Sequence, residues 1–252
     1  MGARAMILRR LKAHIEKENW FAVAIDFAIV VFGVFIGLQV ANWNETRGQQ
    51  HKQQVYLQRL EADFVAIDQR LDEHFEVYAE MIAGADYLLT LLRLDEESFR
   101  VAEINRNQLT KALNALSGQR VPPPSSATYL EMRSEGQLSA MKNGALRDAL
   151  ASYDLVLDIM RDVSRMSVDT HIQQFHHVQQ YYTARTVFDD TALSGIRQEV
   201  LNYDLGEMRR DPNVETAIKL LQTNALNSLS QRRLQRQRIE NILALIETET
   251  TE

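Results

Sequence analysis

The chain has 252 residues, 45% hydrophobic and 25% charged, a balance typical of a globular protein and not of a disordered or wholly membrane-embedded one. Its formal net charge of −6 argues against a nucleic-acid partner, because neutralising phosphates needs a basic surface. The absence of cysteine excludes disulfides, thiolate metal sites and cysteine nucleophiles together.

Prolines are rare, and three of the four sit together at Pro122, Pro123 and Pro124. Long breaker-free segments rich in Ala, Leu, Glu, Gln and Arg predict an all-α fold. The first 19 residues form a short basic tail with Arg4, Arg9, Arg10, Lys12 and Lys17. From Trp20 to Val40 the chain is apolar apart from Asp26 and Gln39, and Ala41-Asn42-Trp43 closes the run. At about 1.5 Å per residue the two tryptophans lie roughly 34 Å apart along a helix, the span of a bilayer with an aromatic anchor at each interface. No small-residue cleavage pattern follows the run, which favours a retained anchor over a signal peptide. Five cations before the helix, against Arg47, Lys52 and Arg59 after it, predict a cytoplasmic N-terminus. In a Gram-negative inner membrane the remaining domain, 44–252, is then periplasmic.

Asp26, Gly33, Gly37 and Asn44 fall near one face of this helix at 100° per residue. Small residues four apart let backbones approach closely, and an acid in lipid normally faces protein, water or the interface. Three readings of Asp26 stay open at this point: snorkelling to the interface or pairing with Lys17, gluing one helix to another in an oligomer, and lining an ion pathway.

Beyond Asn44 the helix has no reason to stop. A stripe of alternating three- and four-residue steps runs Leu57, Leu60, Phe64, Ile67, Leu71, His74, Tyr78, Met81, Ala85, Leu88, Leu92, which fits either a coiled coil or the core face of a bundle. Asp95-Glu96-Glu97 marks a break. A shorter helix is expected over Glu103–Leu116, ended at Gly118, and a polyproline-type connector over Gly118–Ser126. A short helix ending at Gly136 follows, then a long helix opened by Asn143 as N-cap, with Leu146, Leu150, Tyr153, Leu157 and Met160 as its stripe. In the same register come Ser164, Ser167, His171 and Gln174. A final helix from Pro212 to about Thr248 carries Val214, Ile218, Leu221, Ala225, Ile239, Ile242 and Ile246. The expected architecture is an N-terminal transmembrane helix (20–43) continuing into an elongated antiparallel helical bundle or coiled coil.

The stretches Gly-Leu-Gln-Val-Ala-Asn-Trp-Asn-Glu (37–45), Tyr-Leu-Glu-Met-Arg-Ser-Glu-Gly (129–136) and Lys-Asn-Gly-Ala-Leu-Arg-Asp-Ala-Leu-Ala-Ser-Tyr (142–153) resemble an uncharacterised bacterial family of single-pass membrane proteins of unknown function. The resemblance implies architecture only. It also implies an acid, often Glu, at the position of Asp26.

A search for chemistry finds little. His171, His176 and His177 lack the i, i+4 spacing of a helical zinc pair and read as a polar bundle surface, and His74 stands alone. No Walker loop, dinucleotide fingerprint or nucleophile elbow is present. The run Arg232-Arg233-Leu-Gln-Arg236-Gln-Arg238 reads as a solvated helix face or a contact for anionic lipid. No enzymatic activity, metal or cofactor is expected. The function expected is a membrane-anchored scaffold or interaction protein, partnered by the bilayer and by copies of itself or another membrane protein. A ligand-sensing bundle acting through a partner and an ion-conducting oligomer using Asp26 are the alternatives.

Overall fold

The computed structural model describes residues 20–188 and 196–251. The chain is 82% helical, so the all-α expectation holds apart from one hairpin. Its contacts divide it into Met1–Val55 and Tyr56–Glu252. Helix α1 (Trp20–Leu92) contributes to both units. The tail 1–19, with its orienting cations and the Lys17 suggested for Asp26, lies outside the described residues.

Three long helices carry the second unit: α1 from Tyr56, α5 (Gly144–Gln179) and α7 (Pro212–Thr251). Helix α7 runs antiparallel to the other two. Its Arg236, Gln222 and Glu215 meet α1 at Asp68, Asp86 and Arg93, and its Gln235 and Arg232 meet α5 at Tyr153 and Met160. Of the eleven positions in the α1 stripe, all but Leu92 are buried. The stripe is therefore packed within one chain.

Short elements cover the ends. Asp95, read as part of a break, is the N-cap of α2 (Glu96–Val101), its carboxylate accepting from the Ser98 amide at 2.8 Å. Helix α3 (Arg106–Ala115) begins later than the expected Glu103, because the Asn105 side chain accepts from the Gln108 amide and sets the first turn there. The proline connector leads to α4 (Ala127–Ser134), and Asp63 of α1 ties its start by accepting from Ser126 Oγ at 2.7 Å and the Thr128 amide at 2.9 Å. Gly136, at φ 70°, makes the left-handed turn out of α4 that other residues adopt only with strain. A single 3-10 turn (Gln137–Ala140) leads to Asn143, which caps α5 as expected, accepting from the Leu146 amide at 3.0 Å.

The unanticipated element is the antiparallel hairpin β1 (Tyr182–Phe188) and β2 (Ile196–Tyr203), bulged between Thr183 and Ala184. The outer edge of β2 is covered by α3, whose Asn114 and Arg106 side chains donate to the carbonyls of Gln198 and Leu201 at 2.8 and 2.7 Å. Helix α6 (Leu205–Arg210) then leads into α7, whose first turn is held by the Asp211 carboxylate accepting from the Asn213 amide.

The apolar interior forms two clusters. One gathers Tyr56–Leu71 of α1 with α4, Leu146–Leu157 and Ile239–Ile246. The other gathers Tyr78–Leu91 with α3, Val178, Val200, α6 and Val214–Ala225. His74, Met160, Arg232 and Gln235 come between them in sequence on their three helices.

Candidate functional site

The first unit holds the residues singled out from the sequence. Its described part is helical throughout, and the most apolar 18-residue window of α1, with mean hydropathy 2.2, is 0% buried. That window is long and apolar enough to cross a membrane. Twelve large apolar side chains between Phe21 and Val40 are 42% to 73% exposed. Covering a side chain of this size is worth about 1.5–3 kcal/mol. Leaving all twelve in water therefore forgoes on the order of 20 kcal/mol, more than the typical net stability of about 5–15 kcal/mol.

Asp26 is exposed. Gly33 and Gly37 follow it at seven and eleven residues, within about 20° on the helix wheel, and a Cβ built on either meets nothing within 4 Å. The three residues thus lie on one open strip that a second helix can approach closely. Trp43 is 63% exposed, with the Arg47 guanidinium 5.2 Å above its ring, an amphipathic pair suited to a headgroup region. The side chain of Trp20 lies outside the described residues.

The second unit corrects two readings. His171 is not on a polar surface. It is 4% exposed, because α5 keeps the register of its Leu146–Met160 stripe to Val178, and neither ring nitrogen makes a hydrogen bond of good geometry. His176 is exposed and His177 half-buried. The arginine run on α7 is a solvated face only at Arg233 and Arg238. Arg232 is 1% exposed; its Nη1 donates to Gln235 Oε1 at 3.1 Å and lies 3.9 Å from Met160 Sδ, while Nε has no partner. Gln235 passes the chain on, donating to Tyr153 Oη at 2.9 Å. Arg236 bridges Asp68 and Asp72 at 2.8 and 2.7 Å and stacks 4.5 Å over Phe75. Arg233 and Arg238 are exposed, Arg238 donating to Ser152 Oγ.

This buried polar layer carries positive charge. Among the described residues no carboxylate pairs with Arg232, and burial pulls its guanidinium below the ordinary value, against Tyr78 and Tyr153, which raise it. His74 is pushed down to about 4 by burial first, then by Arg232 and Arg120. Periodicity held the clue. Carried on from Ala225 by steps of three and four, the α7 stripe lands on Arg232 and Gln235 before Ile239.

Residues 26–157 match the model of a family described as "Family of unknown function (DUF6090)". The chain belongs to that family. The DUF6090 stretch begins at Asp26, includes Gly33, Gly37 and Trp43, and ends at Leu157 of α5; the hairpin, α6 and α7 lie beyond it. No curated protein and no solved structure matches the chain.

Proposed function

We infer that this DUF6090 chain is a membrane-anchored helical interaction protein without enzymatic activity of its own. In this reading residues 20–43 cross a lipid bilayer and 1–19 form a cytoplasmic tail. The domain 44–252 stands on the other side, in the periplasm if the membrane is a bacterial inner one. The chain associates with copies of itself, or with another membrane protein, through the strip of Asp26, Gly33 and Gly37. The carrying observation is the apolar segment of α1, uncovered on every side and long enough to span a bilayer. An apolar helix with no protein around it needs lipid or other helices.

The glycines support association because lipid gives no hydrophobic reward for helix contact, so close backbone packing has to supply it. The test is the oligomeric mass of the full chain in mild detergent. An oligomer that becomes monomeric in Gly33→Leu/Gly37→Leu supports the reading. A chain that is monomeric at all concentrations, or an oligomer that the double substitution leaves intact, removes the glycine strip as its interface.

A further inference from the structure

In the second unit a groove of about 740 Å³ opens between α1, α3, the loop after α3, and β2. Its size falls within the range of small-molecule sites, about 300–1,000 Å³. We propose that it binds a small organic carboxylate. This goes beyond the anchoring reading and does not depend on it.

The chemistry comes from two lining residues, Arg120 and Lys111. Arg120 has no carboxylate partner among the described residues, and its Nη1 donates to the neighbouring Gln119 carbonyl at 2.9 Å. Its backbone is fixed separately, the carbonyl accepting from Tyr78 Oη at 3.1 Å. The guanidinium is thus a cation on a held backbone, able to donate two parallel N–H bonds to a carboxylate. Lys111 is already paired with Glu80 at 2.9 Å, so the groove's own acid is matched by a cation and Arg120 is left in excess. Arg120 also lies close enough to the buried His74 for its charge to act on the histidine. An anion in the groove is favoured by this excess.

Asn114 ties the groove wall to β2, its amide nitrogen donating to the Gln198 carbonyl at 2.8 Å. The floor is closed by Gly118 against Val77, where an added Cβ would come within 2.9 Å of Val77 Cγ1.

The probe is N-acetylglycine, which carries the carboxylate, with uncharged N-acetylglycinamide as its control. Both are titrated into the full detergent-solubilised chain by saturation-transfer NMR. The expected result is a dissociation constant on the order of 1–10 mM for the acid, as suits so small a ligand, and binding of the amide weaker by about tenfold. Arg120→Gln, which leaves the Tyr78 hydrogen bond to the backbone in place, is expected to weaken the acid by about tenfold, and Arg120→Lys, which keeps the charge but not the two-pronged geometry, to recover only part of that loss. Equal binding of acid and amide, an unaffected Arg120→Gln variant, or no saturation transfer to the acid from folded chain would each overturn the proposal.

Discussion

The guanidinium of Arg232 is 1% exposed and has no carboxylate beside it among the described residues. Removing a charge from water costs several kcal/mol, and Gln235, Met160 and the tyrosine hydroxyls offset only part of that. Arg232→Met, similar in length and apolar, is therefore expected to leave stability unchanged or raise it by up to about 2 kcal/mol, read from urea unfolding of the solubilised chain. A loss above about 2 kcal/mol would show that the polar layer holds the bundle together. His74 sets a pH dependence of definite sign. Its folded pKa, about 4, lies below the ordinary 6.5, so below pH 6.5 protons bind the unfolded chain in preference. Stability is full above pH 6.5 and falls, by up to about 3 kcal/mol, as pH drops toward 4. His74→Leu is expected to flatten that part of the pH–stability curve; an unchanged slope between pH 6.5 and 4 would assign it to other groups.

Among the elements, α1 and α7 show how far a repeating pattern carries. The α1 stripe is legible from Leu57 to Leu88 because every position, His74 included, holds the three-four rhythm, and the structure buries each one. The α7 stripe has the same rhythm, but its middle is arginine and glutamine, and residue type hides what register reveals. The hairpin was missed for a different reason. Tyr182, Thr183, Thr186, Val187 and Phe188 are strand formers, but they follow α5 without a proline or glycine to mark the change. Caps were the most readable features, as Asn143 shows, because a side chain that accepts from its own N3 amide acts locally. Asn143→Ala is expected to cost about 1 kcal/mol in thermal or urea unfolding. Packing between elements is less readable. Gly84 lets α3 approach α1 so closely that an added Cβ would come 3.0 Å from the Ala112 carbonyl oxygen. Gly84→Val is expected to destabilise by about 1–3 kcal/mol in the same assay; no loss would mean that α3 shifts freely.

For the whole molecule, the candidate site divided into a part that sequence shows and a part that it does not. Asp26, Gly33, Gly37 and Trp43 stand out in the sequence because a long apolar run is written in composition, and the few polar or small residues in it are visible at once. The groove at Arg120 and Asn114 was not, because it is assembled from α1, α3, a loop and β2, segments up to 121 residues apart from Val77 to Gln198. The functional account rests on the first of these. Its most direct test is alkaline carbonate extraction of membranes from cells expressing the full chain. The account expects the protein to stay in the membrane pellet at high pH and to be released only by detergent. Release into the carbonate supernatant, with the chain intact, would contradict a membrane-spanning Trp20–Trp43 segment.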